Sequence, residues 1–421
     1  MKKVKKICVV GLGYVGLPLA IQFAKKHQVI GIDLDEEKVK LINNKIDPSG
    51  QILENEFIDG RLKCYSTYTN IKDCDYFIIT VPTPVDCFNR PNLKYLLDAC
   101  KNVGRIMRQN SIIIIESTIF PTTTEKICLP IISKYSGIPI KKIKIAFSPE
   151  RVSPGDKEHT VYNTPKLISA IDEETVADVI NLYKTSVTPS VIKCSSIKIA
   201  EAAKMLENVQ RDVNISLMNE LSKVFKALNI DMYETIEVAS TKWNFMTVKP
   251  GLVGGHCIGV DSYYFIDGAI KYGINLELVK TAREINVRKT KDLVSTVKDF
   301  CRNIGQNNIK IGILGVTYKE NIGDIRNSQA LKFYDMLLSE LDCAKIYCYD
   351  PFVQNQLVSK EEFFSQKYHV LAIMVNHSEF YEISRLEFLN CIYEKHSLII
   401  DLHQIFFPYK EFIDDKNYIT L

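Results

Sequence analysis

Eighteen consecutive residues near the start of the chain, ICVVGLGYVGLPLAIQFA, carry no charge, and they limit what the rest can fold into. As one helix behind the basic MKKVKK they would make a short membrane span, an arrangement that also imitates a targeting signal. Three glycines and a proline inside the run argue against that reading. A buried strand, a glycine turn and the first turns of a helix account for the same residues, which is how an α/β unit opens. The expectation is a soluble, cytoplasmic protein.

The remainder repeats the pattern. KICVVG, HQVIGID, YFIITVP, SIIIIEST, KIKIAFSP, KLISAI and SVIKC read as strands, separated by amphipathic stretches such as PNLKYLLDACKNVGRIM. Continuous apolar strands alternating with helices imply a parallel sheet covered on both faces. From Ser196 the pattern changes to about 33 residues without Gly or Pro, roughly 50 Å of helix. Its apolar positions are Ala203, Leu206, Val213, Leu217, Leu221, Val224 and Leu228, and a helix of that length is expected to bridge domains and to pack against a second copy of itself. After a helical stretch to about residue 303, KIGILGVTYKE, AKIYCYDP, HVLAIMVNH and SLIIDLH form a second set of strands, the DP after Tyr349 resembling the strand-ending acid of a nucleotide fold. The chain is therefore expected to be α/β, with two Rossmann-like doubly wound parallel-sheet domains over residues 1–195 and 304–421 joined by a helical region over 196–303.

The charge balance narrows the partners. With 24% charged residues and a net charge of +3 over 421 residues, no strong field exists to hold nucleic acid or an anionic membrane. Twelve cysteines are scattered without a CxxC pair or histidines at zinc-site spacing, so no metal is expected, and most sit in apolar runs that suit reduced, buried thiols. Cys257, in GLVGGHCIGVDSYYF, lacks such cover.

Several motifs carry chemistry. GLGYVG places Gly11, Gly13 and Gly16 between a strand and a helix, with Tyr14 and Val15 between the glycines; in that context they give a tight turn and a close backbone approach to a pyrophosphate. Asp33 ends the second strand 22 residues after Gly11, where a carboxylate can accept from ribose hydroxyls and repel a 2'-phosphate, which favours NAD. Thr83 in VPTP and Thr118 in ESTIFPTTTE put hydroxyls at the carboxyl edge of the sheet, where an ordinary turn explains them as well. Glu150 and Arg151 in SPERVSPG are most simply a solvated turn. On the long helix, Glu201, Lys204 and Asn208 share a face with Arg211; a solvated stripe is the plain reading, against which Asn208 stands as a poor mid-helix residue. A glycine-flanked cysteine is more often a packed turn residue than a nucleophile. A thiol is nevertheless what a dehydrogenase needs to trap an aldehyde as a thiohemiacetal, which can lose a second hydride and become a hydrolysable thioester.

Taken together, GLGYVGLPLA, VPTP, ESTIFPTTTE, SPERVSPGD, EAAKMLEN, GLVGGHCIGVD and YKENIGDIRNS resemble, in order and spacing, the UDP-glucose/GDP-mannose dehydrogenase family of nucleotide-sugar 6-dehydrogenases. KWNF and the YY after the cysteine loop resemble the branch acting on UDP-N-acetylglucosamine or UDP-N-acetylgalactosamine, of the Vi-polysaccharide type. The resemblance implies a four-electron oxidation of a sugar C6 hydroxyl to a carboxylate with two NAD, for capsule or O-antigen synthesis. It implies Cys257 as nucleophile, Lys204 and Asn208 as partners of the oxyanions, and Glu150, Thr118 and Asp261 as residues that position or activate water. Thr83, Thr118 and Arg326 would join the glycine loop and Asp33 at the cofactor. Arg151, Gly251, Gly254, Tyr318 and Lys319 would join Glu150, Lys204 and Asn208 around the UDP-sugar. The central helices imply a homodimer.

Two departures stand beside these motifs: Thr122 occupies a glycine slot of the family and Ser262 a proline slot. UDP-glucose and UDP-N-acetylmannosamine are alternative substrates. A one-step dehydrogenase of the 3-hydroxyacid type and a catalytically idle NAD-binding protein are the readings from other classes.

Overall fold

The computed structural model describes residues 4–420 apart from 51, 58–59, 70, 153–157, 159–162, 189, 256, 306–307, 342–343 and 354–356. The chain divides into two compact units, one comprising residues 1–208 and 263–275, the other 209–262 and 276–421.

The first unit carries β1 (Lys6–Val10), α1 (Gly16–Ala24), β2 (Gln28–Ile32), α2 (Glu36–Asn43), β3 (Leu62–Tyr65), β4 (Tyr76–Ile79), α3 (Lys94–Ile106), β5 (Ile112–Ile115), α4 (Leu129–Ser136), β6 (Lys144–Phe147), β7 (Lys166–Ala170), α5 (Glu173–Ser186) and β8 (Val191–Lys193). They build an eight-stranded sheet in the order β3-β2-β1-β4-β5-β6-β7-β8. The central strands are apolar on both faces because both are covered: β5 is four buried isoleucines, and β4 is buried throughout. All seven strands expected in this half are present. The four-residue β3, with only Cys64 buried, is too short and polar to stand out in the sequence. One pairing departs from the parallel expectation, since β7 runs antiparallel to β6. Among the described residues no helix separates these two strands, and an antiparallel partner needs no helical crossover.

The helical region consists of α6 (Ile197–Ala227), α7 (Met232–Ser240), α8 (Ile258–Ile270) and α9 (Glu277–Ile304). It leads into β9 (Ile309–Leu314), α10 (Gln329–Glu340), β10 (Ala344–Tyr349), α11 (Lys360–Phe364), β11 (Val370–Ile373), α12 (Arg385–Asn390), β12 (Leu398–Asp401) and β13 (Tyr418–Ile419). These last strands form a five-stranded parallel sheet in the order β10-β9-β11-β12-β13. No helix among the described residues is long and apolar enough to cross a membrane.

The 31-residue α6 buries polar side chains beside the apolar Ile197, Ala200, Met205, Val209 and Met218. Glu201, Lys204, Asn208, Asp212, Asn219 and Ser222 are buried, whereas Leu206, Leu217, Val224 and Leu228 are 46–65% exposed. Ala203, Val213 and Leu221 are half-buried. The apolar stripe expected from the sequence therefore exists, but four of its seven positions stand exposed.

Candidate active site

The glycine turn after β1 has the shape a dinucleotide requires. Gly11 has φ +94°, and a Cβ there would meet the Thr80 and Val81 backbone at 3.0 Å. At Gly16 a Cβ would lie 1.8 Å from the Gly11 carbonyl oxygen, so the start of α1 can approach the turn only without a side chain. Gly13 is exposed with nothing within 4 Å of a Cβ, leaving open space before the helix N-terminus, where Tyr14 and Val15 lead into α1. Asp33 follows β2 and accepts from the Leu12 N–H at 2.9 Å and from Lys38 Nζ at 3.1 Å. Open glycine backbone, the helix N-terminus and a partly exposed carboxylate fit the pyrophosphate and ribose of NAD.

On the carboxyl edge of the same sheet, Thr83 Oγ1 donates to the Thr118 carbonyl at 2.7 Å, bringing the two strand-end loops together. The VPTP loop is held further by Tyr264, whose hydroxyl donates to the Pro84 carbonyl at 3.2 Å. Glu150 is not part of a solvated turn. Its Oε1 accepts the N–H groups of Arg151 and Val152, each at 2.8 Å, and its Oε2 accepts Lys166 Nζ at 2.8 Å. The Arg151 guanidinium turns away to Glu207 on α6, at 2.8–2.9 Å, and to the Pro165 carbonyl. Lys166 Nζ also lies 2.8 Å from Glu116, which accepts from the Tyr183 hydroxyl. Burial drives the Glu116 carboxyl up. Burial would raise Glu150 as well, but Lys166 and the two amides outweigh it and hold that carboxyl below its ordinary range. The two flanking carboxylates likewise hold the Lys166 ammonium above its ordinary value against burial.

On α6, Glu201, Lys204 and Asn208 are buried, not a solvated stripe, while Arg211 is exposed and leaves their face. Glu201 accepts from the N–H groups of Thr122 and Thr124 at 2.6 and 2.9 Å, and burial pushes its carboxyl up to about 7. Thr122, in the glycine slot, has φ +84°, a conformation that a β-branched residue enters at a cost.

In the second unit, Asn219 clamps Gly251 from both sides, donating to its carbonyl at 2.9 Å and accepting its N–H at 3.0 Å. A Cβ at Gly254 would lie 2.9 Å from the Asn327 carbonyl oxygen, and one at Gly255 would lie 2.6 Å from the Tyr318 ring. The loop is thus bare because it is pressed onto the YKENIGDIRNS segment. Cys257 emerges exposed at its end, its carbonyl accepting the Val260 and Asp261 N–H groups at 3.1 and 2.9 Å, so the residue stands at the N-terminal end of α8. Ser262 Oγ donates to the buried Asp212, which also accepts from Arg283 and Asn286 at 2.7 Å each. His256 and residues 153–156 of the SPERVSPGD motif lie outside the described residues.

Lys319 is half-buried beside Glu320. The exposed Arg326 guanidinium is held by Asp324, with Nε 2.9 Å from Oδ1 and an Nη 2.7 Å from Oδ2. Asp350 occupies, after β10, the fold position that Asp33 occupies after β2: the Val316 N–H reaches it at 2.8 Å as Leu12 reaches Asp33. Its environment differs. Thr317 N–H, Phe352 N–H and His377 Nε2 also reach it, its side chain is fully buried, and His377 and the amides keep its carboxyl low despite burial. Asp350 is a sealed structural acid and does not present a carboxylate to a ribose.

Sequence reasoning missed Lys166, Glu116 and Tyr183, and the Asp212–Asn219–Arg283–Asn286 group. A glutamate closing the all-isoleucine strand IIIIE was a visible signal for the first set. Lys166, half-hidden at the start of KLISAI, gave none, because its partners are far away in the chain.

Comparison with known proteins matches three family domains to the chain. Residues 5–187 match the NAD binding domain, 198–288 the central domain and 312–408 the UDP binding domain of the UDP-glucose/GDP-mannose dehydrogenase family. The chain is 43% identical over 336 residues to Protein CapL of Staphylococcus aureus, covering 79% of each chain. It is 36% identical to UDP-N-acetyl-D-glucosamine 6-dehydrogenase of Salmonella typhi, covering 93% of this chain and 95% of that one. Among solved structures, UDP-D-ManNAc dehydrogenase of Pyrococcus horikoshii superimposes with a TM-score of 0.84 at 31% identity, covering 94% of each chain.

Proposed function

Because the chain belongs to the UDP-glucose/GDP-mannose dehydrogenase family and is an NAD-dependent oxidoreductase of that kind, we propose that it carries the C6 hydroxyl of a UDP-N-acetylhexosamine through two oxidations to the UDP-uronic acid, for surface polysaccharide synthesis. UDP-N-acetylglucosamine is the favoured sugar, supported by the activity of the Salmonella typhi relative; the structural likeness to UDP-D-ManNAc dehydrogenase keeps UDP-N-acetylmannosamine as the second reading. NAD accepts the hydride in each oxidation. One alcohol, two NAD and one water become one carboxylate, two NADH and three protons.

The observation that carries the reading is Cys257, exposed at the N-terminus of α8 on a loop whose glycines are pressed against Tyr318 and Asn327. The partly positive end of a helix favours negative charge on a sulfur placed there. Adding that sulfur to the C6 aldehyde keeps the aldehyde from leaving, and the resulting thiohemiacetal is again an alcohol. Its oxidation gives a thioester, and attack by water releases the acid and returns the thiol.

In this reading the Lys204 ammonium and the Asn208 amide, buried on one face of α6, hold the oxygen that bears negative charge in both the addition and the hydrolysis. Glu150, Thr118 and Asp261 handle the water. Gly11, Gly13, Tyr14, Val15, Gly16, Asp33, Thr83 and Thr118 hold NAD, and Arg326 is assigned to the cofactor by its place in YKENIGDIRNS. Arg151, Gly251, Gly254, Tyr318 and Lys319 hold the nucleotide sugar. Functionally, residues 1–195 bind NAD, 196–303 bring the cysteine and the dimer contact, and 304–421 bind UDP. The outward leucines of α6 support a homodimer through that helix.

A panel of UDP-sugars followed by NADH absorbance tests the assignment. Two NADH per sugar are expected, with Cys257→Ser stalling before turnover. One NADH per sugar, or full activity of the serine variant, would sink the covalent route.

A further inference from the structure

Behind Glu150 lies a set of buried groups to which the proposed chemistry gives no task. Lys166 on β7 is 5% exposed, Glu116 at the end of β5 is 3% exposed and Tyr183 on α5 is fully buried. Two carboxylates share one ammonium. Such an arrangement is seldom kept for stability alone, because desolvating three charges offsets most of their attraction. Well-packed apolar residues would serve the fold as well.

We propose that Lys166 is a positioning residue of the dehydrogenase reaction: gripped from behind by Glu116, its ammonium fixes the Glu150 carboxylate in one orientation toward the water-dependent step. The inference rests on the reading that Glu150 works in thioester hydrolysis. An ionised carboxylate offers about four acceptor directions. The Arg151 and Val152 amides take both directions of Oε1, and Lys166 takes one of Oε2. Among the described residues a single direction on Oε2 is left, so a water accepted there is aimed by the other three bonds.

The surroundings of Glu150 assign its charge. Lys166 faces it from β7, Glu116 stands behind Lys166 from β5, Tyr183 closes the far side from α5, and the Arg151 guanidinium of its own loop is committed to Glu207 on α6. Among the described residues Lys166 is thus the one cation directly on Glu150. The burial that lifts Glu116 makes Glu116 the first of the two carboxyls to take a proton, which leaves the ammonium to Glu150.

The test uses the full-length enzyme, NAD and the UDP-sugar that the unmodified enzyme oxidises fastest. It records the pH profile of kcat and, by mass spectrometry after an acid quench, the fraction of enzyme held as thioester. The double variant Glu116→Gln/Lys166→Met removes one charge of each sign, so it avoids stranding a second buried carboxylate. Its acidic limb is expected to move up by about one pH unit or more, with thioester accumulating below neutral pH. Glu116→Gln alone must not move the limb upward. A folded double variant with the unmodified limb overturns the proposal, and so does an upward shift in Glu116→Gln, which carries the test by itself should the double variant not fold. Glu150→Gln separates the two readings. If it hydrolyses the thioester at the full rate, the role of Glu150 fails; if it is slow while the double variant is unshifted, only the positioning by Lys166 fails.

Discussion

Ser262 Oγ donates to the buried Asp212 carboxylate across 2.7 Å, tying the first turn of α8, which follows Cys257, to the middle of α6. The residue that occupies a proline slot of the family is therefore a working donor. Ser262→Ala should lower stability by about 1–3 kcal/mol, since the hydroxyl bonds a charged group. Ser262→Pro should cost more, because the ring also removes a helical N–H. Denaturation in urea checks both; a proline variant as stable as the parent would show that the bond contributes nothing.

Thr122 holds φ +84°, where a β-branched residue is strained. Thr122→Gly should relieve about 1–3 kcal/mol of strain, partly offset by roughly 0.5–1 kcal/mol of added backbone freedom in the unfolded chain. A rise in melting temperature is expected. An unchanged or lower one would mean that the side chain makes up for its strain.

Glu201 gives a pH dependence with a definite sign. Burial raises its folded carboxyl to about 7. The unfolded carboxyl titrates near about 4.3, so between those values the folded state binds the extra proton and stability falls as pH rises. The contribution is fully present below about pH 4.3 and has gone once the pH passes the folded value, a loss of up to about 4 kcal/mol. Glu201→Gln should flatten this slope in urea melts across that range, and an equally steep slope in the variant would assign it elsewhere.

The outward face of α6 predicts an interface. Leu217 is 46% exposed in line with Val224 and Leu228. Leu217→Asp should leave the circular dichroism unchanged and convert dimers to monomers in sedimentation. A parent enzyme that is already monomeric at micromolar concentration would remove the basis for the contact.

Asp33 should govern cofactor affinity. Asp33→Asn should raise the KM for NAD about tenfold or more, the worth of losing a charged hydrogen-bond acceptor, with a smaller effect on kcat. An unchanged KM would take the ribose contact away from this residue.

Both sheets were legible because their evidence is local: runs such as IIII and ICVV declare a covered strand wherever they stand. The glycine turn and Asp33 were legible for the same reason. The antiparallel β7 was not, since strand direction depends on what the chain does between strands. The direction of the α6 stripe was also hidden: periodicity shows that a helix has two faces but not which of them its own chain covers. Glu150 and Lys166 show the limit at the site. They stand 16 residues apart, and Glu116 lies 50 residues from Lys166, so nothing in either stretch announces that they meet.

His377, lodged against Asp350, has a consequence for fidelity. The chain repeats one nucleotide-fold corner, with Gly11 and Gly315 both at positive φ after the first strand and an acid after the second. In the copy, that acid is spent on His377 and on backbone amides. Of the two corners, only the first leaves its acid open to a ribose hydroxyl, since the Asp350 side chain is fully buried and the Asp33 side chain is not.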